Sequence, residues 1–253
     1  MKPFRYLVPV TLLGLAEADL SGCGRSLTFQ HTNLFQFGQI QFSFSACTYD
    51  STIGGYRAGV ANFNTVDGSA WNVVKAYHAA TDGSDELSPY DSWLQDPTQF
   101  SGSSRSSGFC SAWKKAANNP DFLTAQATVF SSKYLKPTQS AIDKQGLSLG
   151  ISEALMYDTA ITNGVGSSQG SLGWLIANTN KQVLTDISGH SGNTLTVNGF
   201  DVDEIAWVQL FLTQRSAYSS ATATAASTKS FRYMVTNILA AIGDIPMLTV
   251  NEA

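Results

Sequence analysis

The sequence of 253 residues is short of charge, since Asp, Glu, Lys and Arg together make up only 13%, about half the usual share. Its net charge is −4, whereas a nucleic-acid-binding surface needs an excess of basic side chains. It also lacks any apolar run of the roughly eighteen residues that would span a bilayer. These absences exclude nucleic acid and a membrane as expected partners, and the chain is long enough to form a globular domain with a sizeable core.

Cysteine is equally scarce, with one residue at each of positions 23, 47 and 110. Three thiols form at most one internal disulfide, and their spacing fits no zinc site. Because the three histidines also lack ligand spacing, we expect neither a metal nor a cofactor. If the protein is exported, we predict a bridge between Cys47 and Cys110, with buried free thiols as the alternative.

The first 18 residues have the pattern of a signal peptide. A basic start is followed by an apolar stretch from Leu7 to Leu15 and by small residues at positions 16 and 18, as signal-peptidase cleavage requires. We therefore expect a secreted, extracellular protein whose mature part, residues 19–253, is a single domain. An ordinary N-terminal helix is the alternative, and Leu20–Cys23 weakly resembles a lipoprotein box.

Hydrophobic periodicity predicts a small sheet near the start of the chain, followed by helices. Apolar residues alternate from Ile40 to Ala46, and the Gly54-Gly55 turn leads to a second strand at 56–61, which makes a hairpin. Helical spacing or capping signals then predict helices through Trp71 and His78, after Asn119-Pro120, and over three further segments: 147–162, 171–179 and 202–216. A last helix is expected at 228–241.

Three segments lack a regular pattern. Residues 82–108 and 186–200 are predicted to be long loops because they are rich in turn formers. The Ala, Ser and Thr run at 219–230 is predicted to be a surface connector. The whole pattern indicates an α+β protein that is mainly helical.

A series of short motifs follows a recognisable order along the chain. The motifs are Thr32–Gly38, Gly55–Gly59, Trp113–Ala117, Leu155–Asp158, Ser171–Gly173 and Asp203-Glu204 with Trp207 and Arg215. Together they resemble the chitosanases of glycoside hydrolase family 46 over roughly residues 28–240. The resemblance implies a lysozyme-like fold of two lobes with the small antiparallel sheet lining a cleft. It also implies endo-hydrolysis of the β-1,4 linkages of chitosan with inversion, and we expect a monomer.

The position that matches the family's general acid is Gln36. A side-chain amide has no proton to give and cannot act as an acid. Three explanations stay open: an engineered substrate-trapping variant, a natural homologue that binds amino-sugar polymers without cutting them, and an enzyme that takes its acid from elsewhere.

The water-activating base of the family is matched by Asp50 or Thr52, depending on which flanking motif anchors the count. Asp50 is the better candidate because it is the only carboxylate between Leu20 and Val66. The alternative is a turn aspartate that accepts backbone hydrogen bonds. Arg57 occupies the place of the family's threonine that helps to hold the water.

Further residues are candidates for contact with the sugar chain. Asp67 and Glu204 match family acids and would meet ammonium groups of the polymer; the alternatives are a turn for Asp67 and a helix-dipole role for Glu204. Tyr56 matches the tyrosine of the base motif. Trp93, in the predicted loop, is the candidate for stacking on a sugar ring, whereas the other four tryptophans fall on predicted helices and are expected in the core.

Asp158 and Arg215 match a buried acid–base pair of the family. Each lies on an apolar helix face, where an unpaired charge is unfavourable. We therefore predict that the two side chains are in contact.

Overall fold

The computed structural model describes residues 30–35, 38, 42–96, 108–189, 191–218 and 222–241. They form two compact units: the first runs from Ser43 to Ser132, and the second contains the described residues before Ser43 and those from Lys133 onward. The protein is mostly helical with two small antiparallel sheets, which confirms the predicted fold class.

The first unit begins with a sheet and continues with helices. Its elements are β1 (Cys47–Asp50), β2 (Gly55–Ala58), β3 (Phe63–Asn64), α1 (Ser69–Ala80), a 3-10 turn (Ser88–Tyr90), α2 (Asp91–Gln95), α3 (Phe109–Ala116) and α4 (Pro120–Phe130). The three strands pair antiparallel in chain order. In the β1–β2 register Tyr49 faces Tyr56 and Asp50 faces Gly55, so the tight turn at 51–54 leaves Asp50 at the end of the hairpin.

The hairpin is fastened to the helices of the first unit by covalent and polar links. Cys47 on β1 forms a disulfide with Cys110 on α3, which confirms the predicted bridge. Just before β1, the carbonyl oxygen of Phe44 accepts hydrogen bonds from the side chains of Trp113 and Gln126. Both donors are fully buried, so these bonds satisfy polar groups that burial would otherwise leave without partners.

The described part of the second unit has a helical segment at residues 30–35, followed after Lys133 by five helices and a hairpin. The elements are α5 (Lys136–Gln145), α6 (Gly150–Asn163), α7 (Leu172–Asn180), β4 (Thr194–Val197), β5 (Phe200–Asp203), α8 (Glu204–Ala217) and α9 (Thr222–Ala241). A π-helical turn, Ser131–Leu135, precedes α5. Met156, Trp207 and Phe211 are fully buried in its core.

Local chemistry explains where several helices begin. The side chain of Asn119 accepts from the amide of Asp121 at the start of α4, whose first residue is Pro120, as predicted. Asp203 accepts from the amides of Ile205 and Ala206 and so caps α8.

Four local predictions are wrong. In the described part of the expected first strand, residues 42–46, there is no strand, because the Phe44 carbonyl bonds to side chains instead. The expected loop at 82–108 contains α2, and the expected loop at 186–200 contains β4 and the start of β5. Helix α9 starts at Thr222, inside the expected connector, because alanine is the best helix former.

Candidate active site

The end of the first hairpin brings three predicted site residues together. Asp50 lies at the end of β1, and its Oδ2 accepts from Arg57 Nε on β2 at 2.7 Å. Its Oδ1 accepts from the amide and the hydroxyl of Thr52 at 2.9 and 2.5 Å. Thr48 is the cross-strand partner of Arg57, so Asp50, two residues along β1, projects from the same face of the sheet as the guanidinium.

The hydrogen bonds keep the Asp50 carboxyl in its charged form. The hydrogen bond from Arg57, followed by those from Thr52, lowers the pKa of Asp50 from its ordinary 3.8 to about 2. An ionised carboxylate is the form that a general base requires. The two bonds from Thr52 are also those of a turn aspartate, so the alternative role of Asp50 is seen in the same structure.

Asp67 lies two residues before the first residue of the helix that follows the sheet. Its Oδ1 accepts from the amide and the hydroxyl of Ser69, at 2.8 and 2.5 Å, at the first residue of α1. The turn role is therefore observed. Contact of Asp67 with a sugar ammonium stays a prediction.

The aromatic residues of the first unit are placed differently from the prediction. Trp93 lies on α2 and is only 5% exposed, and its ring packs against Tyr56 and Phe109, with centroids 6.0 and 5.1 Å apart. The predicted sugar-stacking role of Trp93 is wrong, because no open face is available. Tyr56 is half-buried, and its role toward the substrate stays a prediction.

Two tryptophans that were expected in the core are half-exposed. Trp71 and Trp174 lie on α1 and α7 with part of the ring at the surface. Trp71 is accompanied by Lys75, whose ammonium lies 5.8 Å from the ring centroid, and Trp174 packs edge-on against Tyr218. Trp113 and Trp207, by contrast, are fully buried as predicted.

Glu204 is fully buried at the start of α8, with 0% exposure. It accepts hydrogen bonds from the amides of Ser148 and Leu149, from the Ser148 hydroxyl and from the Asn193 side chain. The prediction that Glu204 binds substrate is wrong. The carboxylate instead joins the segment before α6 to the segment before β4.

Asp158 and Arg215 are in contact, as predicted. The Nη2 atom of Arg215 lies 2.5 Å from Oδ2 of Asp158, and both side chains are 0% exposed. Thr32 donates to the other carboxylate oxygen, and Ser227 bonds to both partners. These hydroxyls help to compensate the desolvation of two buried charges. Sequence patterns did not point to Thr32 or Ser227.

Several predicted features fall on residues that the structure does not describe. Gln36, the predicted general-acid position, is outside the described residues, as are His190, Cys23 and the predicted signal peptide, residues 1–18.

Two absences hold for the described part of the chain. Among these residues there is no group of three or more His, Cys, Asp or Glu side chains that could hold a metal ion. In the same ranges none of the helices is both long and apolar enough to cross a membrane.

The sequence and the fold were compared with known proteins. Residues 39–240 match the model of glycosyl hydrolase family 46. A chitosanase of Bacillus subtilis (strain 168) is 33% identical over 190 residues, which are 74% of this chain and 64% of that relative. The match thus spans slightly less than two thirds of the relative's length.

Solved structures share the fold. A mutant chitosanase from Bacillus subtilis MY002 complexed with 6 GlcN has a TM-score of 0.68 and 29% identity, covering 87% of this chain and 88% of that one. A family 46 chitosanase of Gynuella sunshinyii in complex with chitotetraose has a TM-score of 0.75 and covers 90% and 93%. Since its identity is 20%, this second similarity shows the fold alone.

Proposed function

Because the chain belongs to glycosyl hydrolase family 46, we propose that it is a chitosanase, which cuts β-1,4 linkages between glucosamine units inside chitosan chains with inversion. The family match over residues 39–240 is the observation that carries this proposal. Relatives in sequence and in structure are chitosanases, one of them complexed with 6 GlcN. The chain's net charge of −4 suits a polycationic substrate.

Asp50 is the proposed base of this reaction. An inverting hydrolase needs a carboxylate that takes a proton from the attacking water and an acid that protonates the leaving oxygen. The Asp50 carboxylate is ionised, and its orientation is fixed from both sides by Arg57 and Thr52. Each carboxylate oxygen has two lone pairs, so Oδ2 can accept from a water molecule while it holds the Arg57 guanidinium.

A second candidate function is binding of chitosan without cleavage. The residue that favours it is Gln36, which we predict to occupy the general-acid position, because an amide hydrogen bonds to a sugar oxygen but does not protonate it. In that case the polymer is the partner of a non-catalytic protein.

Incubation of the purified full chain with deacetylated chitosan, followed by an assay of new reducing ends, distinguishes the two candidates. If the protein hydrolyses chitosan, soluble oligomers should appear, and proton NMR should show that the first product has the inverted anomeric configuration.

Asp50→Asn is expected to lower the rate by about 10²- to 10⁴-fold. The matched control is Asp82→Asn, because Asp82 is exposed and has a positive φ of 53°, a conformation that asparagine accepts readily.

Absence of cleavage at high protein concentration would reject the hydrolase function, and retention of the protein on chitosan beads would then support the binding function.

Gln36→Glu tests directly whether the missing general acid prevents hydrolysis. If only the acid is missing, this variant gains hydrolysis, whereas an inert variant shows that the Asp50 side of the site is also incomplete.

We also infer that the protein is secreted as a monomer after removal of residues 1–18. The Cys47–Cys110 disulfide supports export, because disulfides persist in oxidising compartments. N-terminal sequencing of protein from the culture medium should give Asp19 as the first residue, and light scattering should give the mass of one chain. Retention of the full-length chain inside the cell would contradict export.

A further inference from the structure

His78 lies between two carboxylates that come from different parts of the first unit. It is in the last turn of α1. Its Nδ1 is 2.5 Å from Oδ2 of Asp85, in the turn after α1, and its Nε2 is 2.8 Å from Oδ1 of Asp91, the first residue of α2. The side chains of His78 and Asp85 are only 13% and 2% exposed. One imidazole therefore joins the turn and α2 to α1.

The two contacts require a particular protonation state of the ring. A neutral imidazole has one N–H donor, so one of its nitrogens would direct a lone pair at a carboxylate oxygen. Only the imidazolium donates to both carboxylates at once. Asp85 is in turn fixed by the hydroxyl of Thr81 and the amide of Leu87, so it is not placed there by His78 alone.

The other charged groups around α1 do not replace this arrangement. On α1 itself, Lys75 lies one turn earlier, with its ammonium near the Trp71 ring. On α4, which packs against α1, the charged residue is Asp121, and β3 carries no ionisable group. Burial alone would lower the pKa of His78, but the hydrogen bonds and charges of Asp91 and Asp85 raise it above 6.5.

We propose that His78 is a pH-dependent clamp: the protonated ring holds residues 81–95 against α1, and loss of the proton releases this segment as the pH rises. The clamp is independent of whether the protein cuts chitosan. The segment that the clamp holds includes Trp93, whose ring packs against Tyr56. Tyr56 belongs to the same hairpin as Asp50. Release of the segment therefore weakens the packing of Trp93 against this hairpin.

The direction of the pH effect follows from linkage. Because the pKa of His78 is higher in the closed segment than in the open one, the stabilisation is complete below the ordinary value of 6.5. It is lost as the pH rises through the pKa of the closed form. The opening equilibrium constant grows about tenfold for each pH unit between the two pKa values.

Hydrogen–deuterium exchange of the full chain between about pH 5 and about pH 9, corrected for intrinsic exchange, measures this opening. In the wild type, protection of the peptides that cover residues 81–95 should fall as the pH rises, whereas the protection of α8 should not follow this pH dependence. His78→Gln should be poorly protected at every pH, because both N–H donors of a glutamine amide are on one nitrogen and do not reproduce the two separate ring nitrogens that contact Asp85 and Asp91.

Asp91→Asn should act in the opposite way to His78→Gln. The asparagine amide can donate to an unprotonated Nε2 while Nδ1–H bonds to Asp85, so the segment should stay protected at high pH. His31→Gln is the matched control, because His31 lies in the second unit, where its Nε2 bonds to Ser230. An equal loss of pH dependence in the His31 variant would overturn the proposal.

An NMR titration of the wild-type imidazoles keeps the test decisive if a variant fails to fold. A pKa of His78 above 6.5, together with proton signals on both ring nitrogens at neutral pH, supports the clamp. A pKa at or below 6.5, or a single ring proton, overturns it, and so does protection of residues 81–95 that does not change with pH.

Discussion

Arg57 is the side chain with the largest influence on the candidate base. It donates to Asp50 at 2.7 Å from the neighbouring strand, and this bond is the first cause of the low pKa of Asp50. Both groups are partly exposed, so solvent screens the pair and its contribution to folding stability is small. Its main effect is on the charge state and orientation of the carboxylate.

Replacement of this arginine should therefore change the titration of Asp50 more than the fold. In Arg57→Met the pKa of Asp50 should rise from about 2 toward the ordinary 3.8, stopping short of it because both bonds from Thr52 remain. A carbon-detected NMR titration of the Asp50 carboxyl measures this shift. The stabilisation that Asp50 derives from its low pKa is present above 3.8 and is lost as the pH falls toward 2.

Thr48→Ala is the control for this experiment, because Thr48 faces Arg57 across the strands, whereas the hydrogen bonds of the Asp50 carboxylate come from Thr52 and Arg57. It should leave the Asp50 titration unchanged. An Asp50 pKa that stays at about 2 in Arg57→Met would show that Thr52 alone sets the charge state.

Single residues also show how far sequence patterns predict a site. The contact between Asp158 and Arg215 was predicted correctly, because the family resemblance implies this pair and a charge on an apolar helix face needs a partner in the core. Trp93 and Glu204 were assigned to the surface, yet both are buried. Their burial depends on elements distant in sequence: Trp93 packs against β2 and α3, and Glu204 against residues 148–149 and 193.

Among the elements, the turn between β2 and β3 depends on a glycine at position 59. Gly59 has a φ of +71°, and a Cβ there would lie 2.2 Å from Oε1 of Gln126 and 2.9 Å from the Trp113 ring. The Gln126 side chain cannot easily withdraw, because it also bonds to the Val60 amide and the Phe44 carbonyl. Close approach and left-handed backbone thus both require glycine at this position.

Gly59→Ala should lower the free energy of unfolding by about 3 kcal/mol, since about 1–2 kcal/mol of backbone strain adds to the cost of overpacking. Gly54→Ala is the matched control. Gly54 has a similar φ of +64° but no atom within 4 Å of the added Cβ, so only the backbone strain applies. Urea denaturation of both variants separates the two effects, and equal losses would contradict the role of packing against Gln126.

The elements that were predicted from the sequence are those with long periodic patterns or clear capping residues. Helices α1, α4, α6, α7 and α8 were all predicted. The four-residue strands β4 and β5 were not, because so short a segment has little periodicity and its turn residues are typical of loops. The start of β1 was misplaced, since Trp113 and Gln126 decide what the Phe44 carbonyl bonds to.

On the scale of the whole molecule, the disulfide closes a long loop in the first unit. Cys47 and Cys110 are separated by 63 residues, and a cross-link of this length stabilises a protein by about 4 kcal/mol through restriction of the unfolded chain. Both cysteines belong to the first unit, as does the loop between them. Its effect should therefore be largely confined to that unit.

Cys47→Ala with Cys110→Ala should lower the stability of the first unit by about 4 kcal/mol and leave the second nearly unchanged. Hydrogen exchange resolved by peptide distinguishes β1, α3 and α4 from α6 and α8. Cys23→Ser, which leaves the bridge intact, is the control. A uniform loss of protection in both units would show that they unfold as one cooperative body.

The sequence by itself determined the family, the mainly helical fold class and the approximate bounds of several helices, because these depend on the order of short motifs, on periodicity and on capping residues within a few positions of one another. The tertiary structure alone decided several other contacts between polar groups: Arg57 with Asp50, His78 with Asp85 and Asp91, and Glu204 with the segments before α6 and β4. These contacts depend on how elements pack, and packing determines which side chains lose water and which hydrogen bonds must replace it.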